Sequence, residues 1–375
     1  MINYTPRLKE FFLLLGYNEA EYLAIISGYY INRYKEEALI KKVNDLHKFF
    51  LSVGYTNADI IKMGRRYSTL YVFSIEKIGR KIEYMLKLGY SMKTIIKMTK
   101  TLPSLYSLSI ENMQQKFEDM ISLGYTKEEV IKIGSKLPSI YTVSMETINQ
   151  RIEYFISLGF EREDIIKMMR VLPQLYVISK ENVDQKNEYL KKLGYTNENI
   201  ISMLRRTPTI YAFSIESMKR KLEDIMLLGY TKEEVMSMLK KCPTLYGLTI
   251  DTIKQRMEDI ISLGYTKEEV IKMTKILPSI YSYSIKNIRR KVEFYDSVGL
   301  HELTTTDPKQ LMQSAELTYA RYMFLKEKGI KITVQDHKKL YIDDKVFEKR
   351  FGITKKLMLK KYNYEEYLEN ESKRS

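Results

Sequence analysis

The chain has 375 residues, 44% hydrophobic and 29% charged, a balance that excludes a disordered chain. Lys+Arg 62 against Asp+Glu 47 leaves a net charge of +15, which favours nucleic acid or another anionic surface as partner, although a Lys-rich composition alone also raises it. A single cysteine, Cys242, excludes an internal disulfide or a cysteine cluster for zinc and points to a reducing compartment.

The first residues, Met1-Ile-Asn-Tyr-Thr-Pro-Arg-Leu8, read neither as a secretory signal nor as an Arg/Ser-rich leader. Phe11-Phe-Leu-Leu-Leu15 is far too short to span a bilayer, so a cytoplasmic location without membrane contact is expected. From Gly54 onward a glycine recurs at Gly89, Gly124, Gly159, Gly194, Gly229, Gly264 and Gly299, every 35 residues. A fixed period of this length marks a repeat array, in which each unit touches only its neighbours. Residues 54–298 hold seven units. Residues 1–53 read as a degenerate capping repeat, since Gly16-Tyr17 fits but the next glycine is 38 residues on and the proline is missing.

Within a unit, Thr126 and Glu129 form a capping box that starts a first helix running to about Leu137. Pro138 stops it, because proline lacks an amide donor and clashes with the preceding turn. Ser139-Ile-Tyr-Thr142 is long enough for one tight turn of 3₁₀ type. Ser144 caps a second helix with Met145, Ile148, Ile152, Phe155 and Ile156 along one face, and Gly159 ends it in a left-handed cap. Unit 54–88 carries Ser68 in place of the proline. The fold class expected is all-α, a curved α-solenoid of about 35-residue helix, proline break, helix repeats. Past Gly299 the period fails. Asp307-Pro-Lys-Gln310 reads as the capped start of a helix of about twenty residues ending near Gly329, and 299–375 as a carboxyl-terminal helical cap, the alternative being a separate functional module.

The chain lacks the motifs of an enzyme. His47, His301 and His337 have no ligand spacing, and no phosphate loop or nucleophile elbow occurs. Glu118, Glu153, Glu188, Glu223, Glu258 and Glu293 share one helix position; a catalytic pair is singular, so these read as partners of the equally repeated Lys116, Arg151, Lys186, Lys221, Arg256 and Lys291. No catalysis, cofactor or metal is expected.

The candidate binding residues are basic positions near the end of each first helix: Lys62 and Arg65, Lys97 and Lys100, Lys132, Lys167 and Arg170, Arg205, Lys240, and Lys272 with Lys275. Arg66, Lys136, Arg206 and Lys241 follow directly, and Arg220, Arg289 and Arg290 add density on second helices. Cations at a helix end also complement its dipole. Stacked helices about 8–10 Å apart nevertheless turn them into a row that can follow a phosphate backbone. Gln114-Gln115, Asn149-Gln150 and Asp184-Gln185 are the variable positions suited to reading base edges. The repeated Tyr106, Tyr141, Tyr176, Tyr211, Tyr246 and Tyr281 are read as core at the break rather than as stacking platforms.

Leu263-Gly264, Ile271, Pro278-Ser-Ile-Tyr281, Ser284 and Lys291-Val-Glu-Phe294 resemble the repeat of the mitochondrial transcription termination factor (mTERF) family, over residues 54–300. The resemblance implies a non-enzymatic α-solenoid binding double-stranded DNA, or RNA, along a positively charged concave path, often affecting transcription. The uniform repeats and the lack of a transit peptide make it look like a bacterial relative, expected to be a monomer. TAL-effector repeats are similar in length but lack the proline break with its serine cap. The alternative function is a protein-interaction scaffold holding a peptide or an acidic protein.

Overall fold

The computed structural model describes residues 5–28 and 30–366. The chain divides into two compact units, Met1–Asp184 and Gln185–Ser375. In the first, α1 (Pro6–Leu15), α2 (Glu19–Ile26) and α3 (Glu36–Ser52) precede the helix pairs α4 (Asn57–Arg66) with α5 (Ile75–Leu88), α6 (Met92–Thr101) with α7 (Ile110–Ser122), and α8 (Lys127–Lys136) with α9 (Met145–Ser157). Then come α10 (Arg162–Val171) and α11 (Lys180–Lys192), inside which the division falls. The second unit pairs α12 (Asn197–Arg206) with α13 (Ile215–Met226), α14 (Lys232–Lys241) with α15 (Ile250–Ile261), and α16 (Lys267–Ile276) with α17 (Ile285–Ser297). It ends in α18 (Glu302–Thr306), α19 (Ala315–Glu327), α20 (Asp344–Phe351) and α21 (Lys355–Lys361). Among the described residues there is no strand, and no helix is long and apolar enough to cross a membrane. The fold is all-α and of the tandem-repeat solenoid type.

Local chemistry makes each pair. Thr126, Thr231 and Thr266 accept from the backbone N–H three residues on, and Glu129, Glu234 and Glu269 return the bond. The residue before each proline is extended, as at Leu137 with φ −133° and ψ 78°, because the pyrrolidine ring excludes the helical region there. A 3₁₀ turn follows, Pro138–Tyr141. Ser68–Val72 forms the same turn without a proline, so the ring is sufficient but not required. Ser144 caps α9, and Gly124, Gly159 and Gly229 hold φ of +100°, +96° and +111°.

The core at each break is built on tyrosines. Tyr55 shares a hydrogen bond with Tyr106 at 2.6 Å, Tyr90 with Tyr141 at 2.7 Å and Tyr230 with Tyr281 at 2.6 Å, and Tyr176 donates to Tyr125 at 2.5 Å. All are buried, so the tyrosines after the prolines pack the break and present no face for base stacking. In these four pairs a spacing of 51 residues ties the post-glycine tyrosine to the break of the following unit. Some pairs need a small or hydroxylic neighbour. Thr99 and Thr274 bond Tyr55 and Tyr230 at 2.7 and 2.6 Å, and a Cβ at Gly134 would lie 2.2 Å from the Tyr90 hydroxyl. Cys242 is buried in the break before Pro243, where other units carry leucine.

Two expectations fail. The repeated lysines of the second helices do not pair with the repeated glutamates. Lys81, Lys186 and Lys221 instead donate to backbone carbonyls of the next break, at Leu108, Tyr211 and Leu248. That break is where the 3₁₀ turn leaves carbonyls free, so a long amphipathic side chain reaches it through apolar surroundings. Glu118 accepts from Gln114 at 2.9 Å and Glu153 faces Arg162 at 3.7 Å. The second failure lies at Asp307. It caps no twenty-residue helix: Pro308–Met312 is another 3₁₀ break, and Ser314 caps the 13-residue α19. The serine follows the proline by six residues, as Ser284 follows Pro278, so this segment repeats the break after a first helix shortened to five residues.

Candidate nucleic-acid interface

Counted from each glycine, the candidate cations fall into three rows on the first helices: eight, eleven and twelve residues on. The first row is Lys62, Lys97, Lys132 and Lys167, interrupted by Ser202 and Ser237, and resumed at Lys272. All five lysines are exposed, and among the described residues no ion pair or side-chain hydrogen bond engages them.

The second row is largely spent on the fold. Arg65 lies 2.7 Å from Glu21, Lys100 2.7 Å from Asp59, Arg170 2.9 Å from Glu129 and Lys275 2.6 Å from Glu234. Each pair joins the carboxyl half of one first helix to the amino turn of the preceding one. The acids are the capping-box residues, so one carboxylate closes its own helix start and holds the next unit. Lys100, Arg170 and Lys275 are therefore half-buried rather than fully exposed as the sequence pattern implies. Lys240 is exposed, and Asn199 stands where the other pairs have their acid; Arg205 is exposed but is not a free cation.

The third row caps the neighbour. Arg66 donates to the carbonyls of Lys100 and Thr101 at 3.1 and 3.0 Å, and Arg206 to those of Lys240 and Lys241 at 2.6 and 2.8 Å. Lys136 donates to Val171 at 3.3 Å and Lys241 to Lys275 at 2.7 Å. Carbonyl acceptors satisfy the donors and the helix end but leave the formal charge in place. These side chains stay exposed.

The net charge of the first helices has one sign, and that of the second helices varies, α5 and α17 being basic. Every first helix from α4 to α16 carries more Lys and Arg than Asp and Glu, while α7, α9 and α15 among the second helices carry fewer. Arg220 and Arg289 are exposed, whereas Arg290 is held between Glu316 and Glu365 over the Tyr364 ring. Lys254, exposed at the position of Lys219 and Arg289, was missed; the 35-residue register alone would have found it. The buried second-helix lysines are not free cations. Burial pulls the Lys81 ammonium down to about 8 and that of Lys291 to about 7.

The three histidines lie apart. His47 meets Tyr71 at 3.2 Å, His301 meets Asp296 and His337 meets Asp307 at 3.1 Å, each in a separate part of the fold. Among the described residues no group of three or more His, Cys, Asp or Glu could hold a metal ion.

No curated protein matches the chain. The mTERF family model matches twice, over residues 77–193 and 176–348, and the two matches together cover well over half of the chain. They span the units whose proline breaks, tyrosine pairs and glycine caps are described above, and they continue through the shortened break at Pro308. By this match the protein belongs to the mTERF family.

Proposed function

We propose that this protein is a non-enzymatic, monomeric nucleic-acid-binding protein that holds double-stranded DNA by its phosphates along the first helices and acts on transcription. Membership in the mTERF family supports nucleic-acid binding and a transcription-related role. The observation that carries the rest is the row Lys62, Lys97, Lys132 and Lys167: one exposed ammonium per repeat, at one register position, with no acid drawn to it. Phosphates recur along a duplex with about one charge per 1.7 Å of axis, so a regular row of cations meets them without base-specific contact. Arg66, Lys136, Arg206 and Lys241 add charge beside that row. Arg65, Lys100, Arg170 and Lys275 contribute less, since each is already neutralised by an acid of the preceding unit.

The test is a salt titration of binding to a labelled mixed-sequence DNA duplex, an RNA duplex and single-stranded DNA. The DNA duplex should bind tightest, with log affinity falling linearly against log salt. Lys97→Ala, Lys132→Ala and Lys167→Ala together should weaken binding on all sequences and make the slope shallower by roughly one per lost contact. Lys100→Ala with Arg170→Ala and Lys275→Ala should leave the slope nearly unchanged. Absence of binding to every probe at low salt would overturn the proposal; tighter binding to the RNA duplex would move the ligand class.

A further inference from the structure

In the first unit, the second helices α7 and α9 are acidic where the first helices are basic, although α5 carries more Lys and Arg than Asp and Glu. Three residues before the glycine stand Leu51, Leu86, Ile121 and Ile156, exposed by 49%, 45%, 43% and 37%. Scattered aliphatic side chains on a surface need no explanation, but these occupy one register position in four successive second helices, so they form a row. The row ends at Lys191, which holds the same position in α11. Successive second helices lie against one another: Phe49 of α3 faces Gly79 of α5, and Tyr154 of α9 donates to Asp184 of α11 at 2.5 Å.

A row of acids runs beside it. Glu83, Glu118 and Glu153 sit three residues before Leu86, Ile121 and Ile156, hence on the neighbouring strip of the same helix face, and all are exposed; Glu83 lies 3.1 Å from Lys87 and Glu153 3.7 Å from Arg162 in exposed pairs that a partner's cations can displace, and on α3 the position is held by Lys48. On α7 and α9 the one cation each helix owns, Lys116 or Arg151, is drawn inward from this face: Lys116 is buried and Arg151 half-buried. In a chain of net charge +15, α7 and α9 are thus locally acidic, which disfavours a phosphate backbone along them.

We propose that this face binds a basic amphipathic helix of a protein partner, laid across α3, α5, α7 and α9. Two arguments select that occupant. The glutamate row complements Lys and Arg flanking an apolar stripe. A helix that carries an aliphatic residue every seventh position presents one about every 10.5 Å, close to the roughly 8–10 Å between packed helices, so one side chain of the partner falls beside each member of the row. The interaction is the helix-in-groove mode, with apolar anchors setting affinity and charge setting partner choice.

The probe is a synthetic 24-residue helical peptide with leucine at every seventh position and lysine on either side. Its binding to the full chain is followed by fluorescence anisotropy. Ile121→Ser with Ile156→Ser should weaken binding at least tenfold, and so should Glu118→Gln with Glu153→Gln, while thermal melts stay unchanged. A peptide of the same composition with the seven-residue spacing scrambled should bind at least tenfold more weakly, and a glutamate version not at all. DNA binding should survive both double substitutions, which separates this surface from the first-helix rows. Equal binding of the spaced and scrambled peptides, or no effect of the substitutions, would overturn the proposal. So would a dimer in sedimentation that Ile121→Ser and Ile156→Ser dissolve, because the occupant would then be a second copy.

Discussion

The regular repeats and the segment from Gly299 to Glu327 use the same backbone for different side chains. Leu137 and Asp307 precede their prolines with nearly the same dihedrals, φ −133° and ψ 78° against −135° and 70°. Both are followed by a 3₁₀ turn and, six residues after the proline, by a capping serine. In most repeats the residue before the proline is apolar and the turn is locked by a tyrosine pair; the Pro208 break follows Thr207, and there Tyr211 donates to Asn187 at 3.0 Å. In the later segment Asp307 receives hydrogen bonds from Tyr341 at 2.8 Å, His337 at 3.1 Å and Gln310 at 3.3 Å, and Tyr295 donates to Gln310 at 3.1 Å. Burial pushes the Asp307 carboxyl up, but these donors together hold it below the usual carboxylate range. The break is thus a local backbone device, and what fills it is set by what packs against it: another repeat, or the chain of residues 331–364.

The largest expected effect strikes the tyrosine lock of the regular repeats. Gly134→Leu drives a side chain into the Tyr90 and Tyr141 rings. It should cost about 3 kcal/mol through overpacking and the lost hydrogen bond. In a repeat protein the loss is local, so hydrogen exchange should quicken in α8 and the following turn before other units respond. Unchanged protection there would mean the tyrosine pair is not what holds the break.

Asp307→Leu converts the later break to the residue that regular repeats carry. If the polar network there is merely tolerated, stability should rise. We expect a loss of about 1–3 kcal/mol instead, because three donors lose their acceptor in a partly buried site. Hydrogen exchange across 337–341 reads this directly.

Lys291 separates the regions by pH. It bonds the Thr318 hydroxyl rather than a break carbonyl, and burial holds its ammonium at about 7, below the ordinary lysine value of 10.5. The folded state then binds fewer protons than the unfolded state between those values. Stability should therefore rise with pH from about 7 towards 10.5, with a slope of up to about 1.4 kcal/mol per pH unit. Lys291→Met should flatten that rise and cost little at neutral pH; a pH profile identical to the parent would refute the assignment.

The smallest effect compares two neighbours on α6. Lys100→Ala removes the bridge to Asp59 and should cost about 0.2–1 kcal/mol, less at high salt. Lys97→Ala, with no partner to lose, should leave the melting temperature unmoved. Equal effects would show that the bridge contributes nothing.

The repeat, its caps, its proline break and the inward tyrosines were legible in the sequence because each rests on local chemistry copied at a fixed spacing. The fate of the cations was not. Lys97 and Lys100 look alike on a helical wheel, but only the packed neighbour brings Asp59 to one and leaves the other exposed. The same holds for Lys186 and Lys221, which the repeat pattern matches to the glutamates of an adjacent unit. Packing brings a break carbonyl of the next unit, 25 or 27 residues on, to each lysine instead of a glutamate. The break at Pro308 was hidden by a five-residue deletion that shifted its register, although its proline-to-serine spacing was intact.

The sequence by itself determined the period, the helix ends and the register of the exposed lysine row, which Ser202 and Ser237 interrupt, since propensity, capping and proline sterics act within a few residues. Only the tertiary structure decided which cations are neutralised, which cap a neighbour and which remain available to a ligand. Those outcomes depend on side chains about 25 to 50 residues apart meeting across the boundary between repeats, a distance over which the pattern of one unit carries no information about the next.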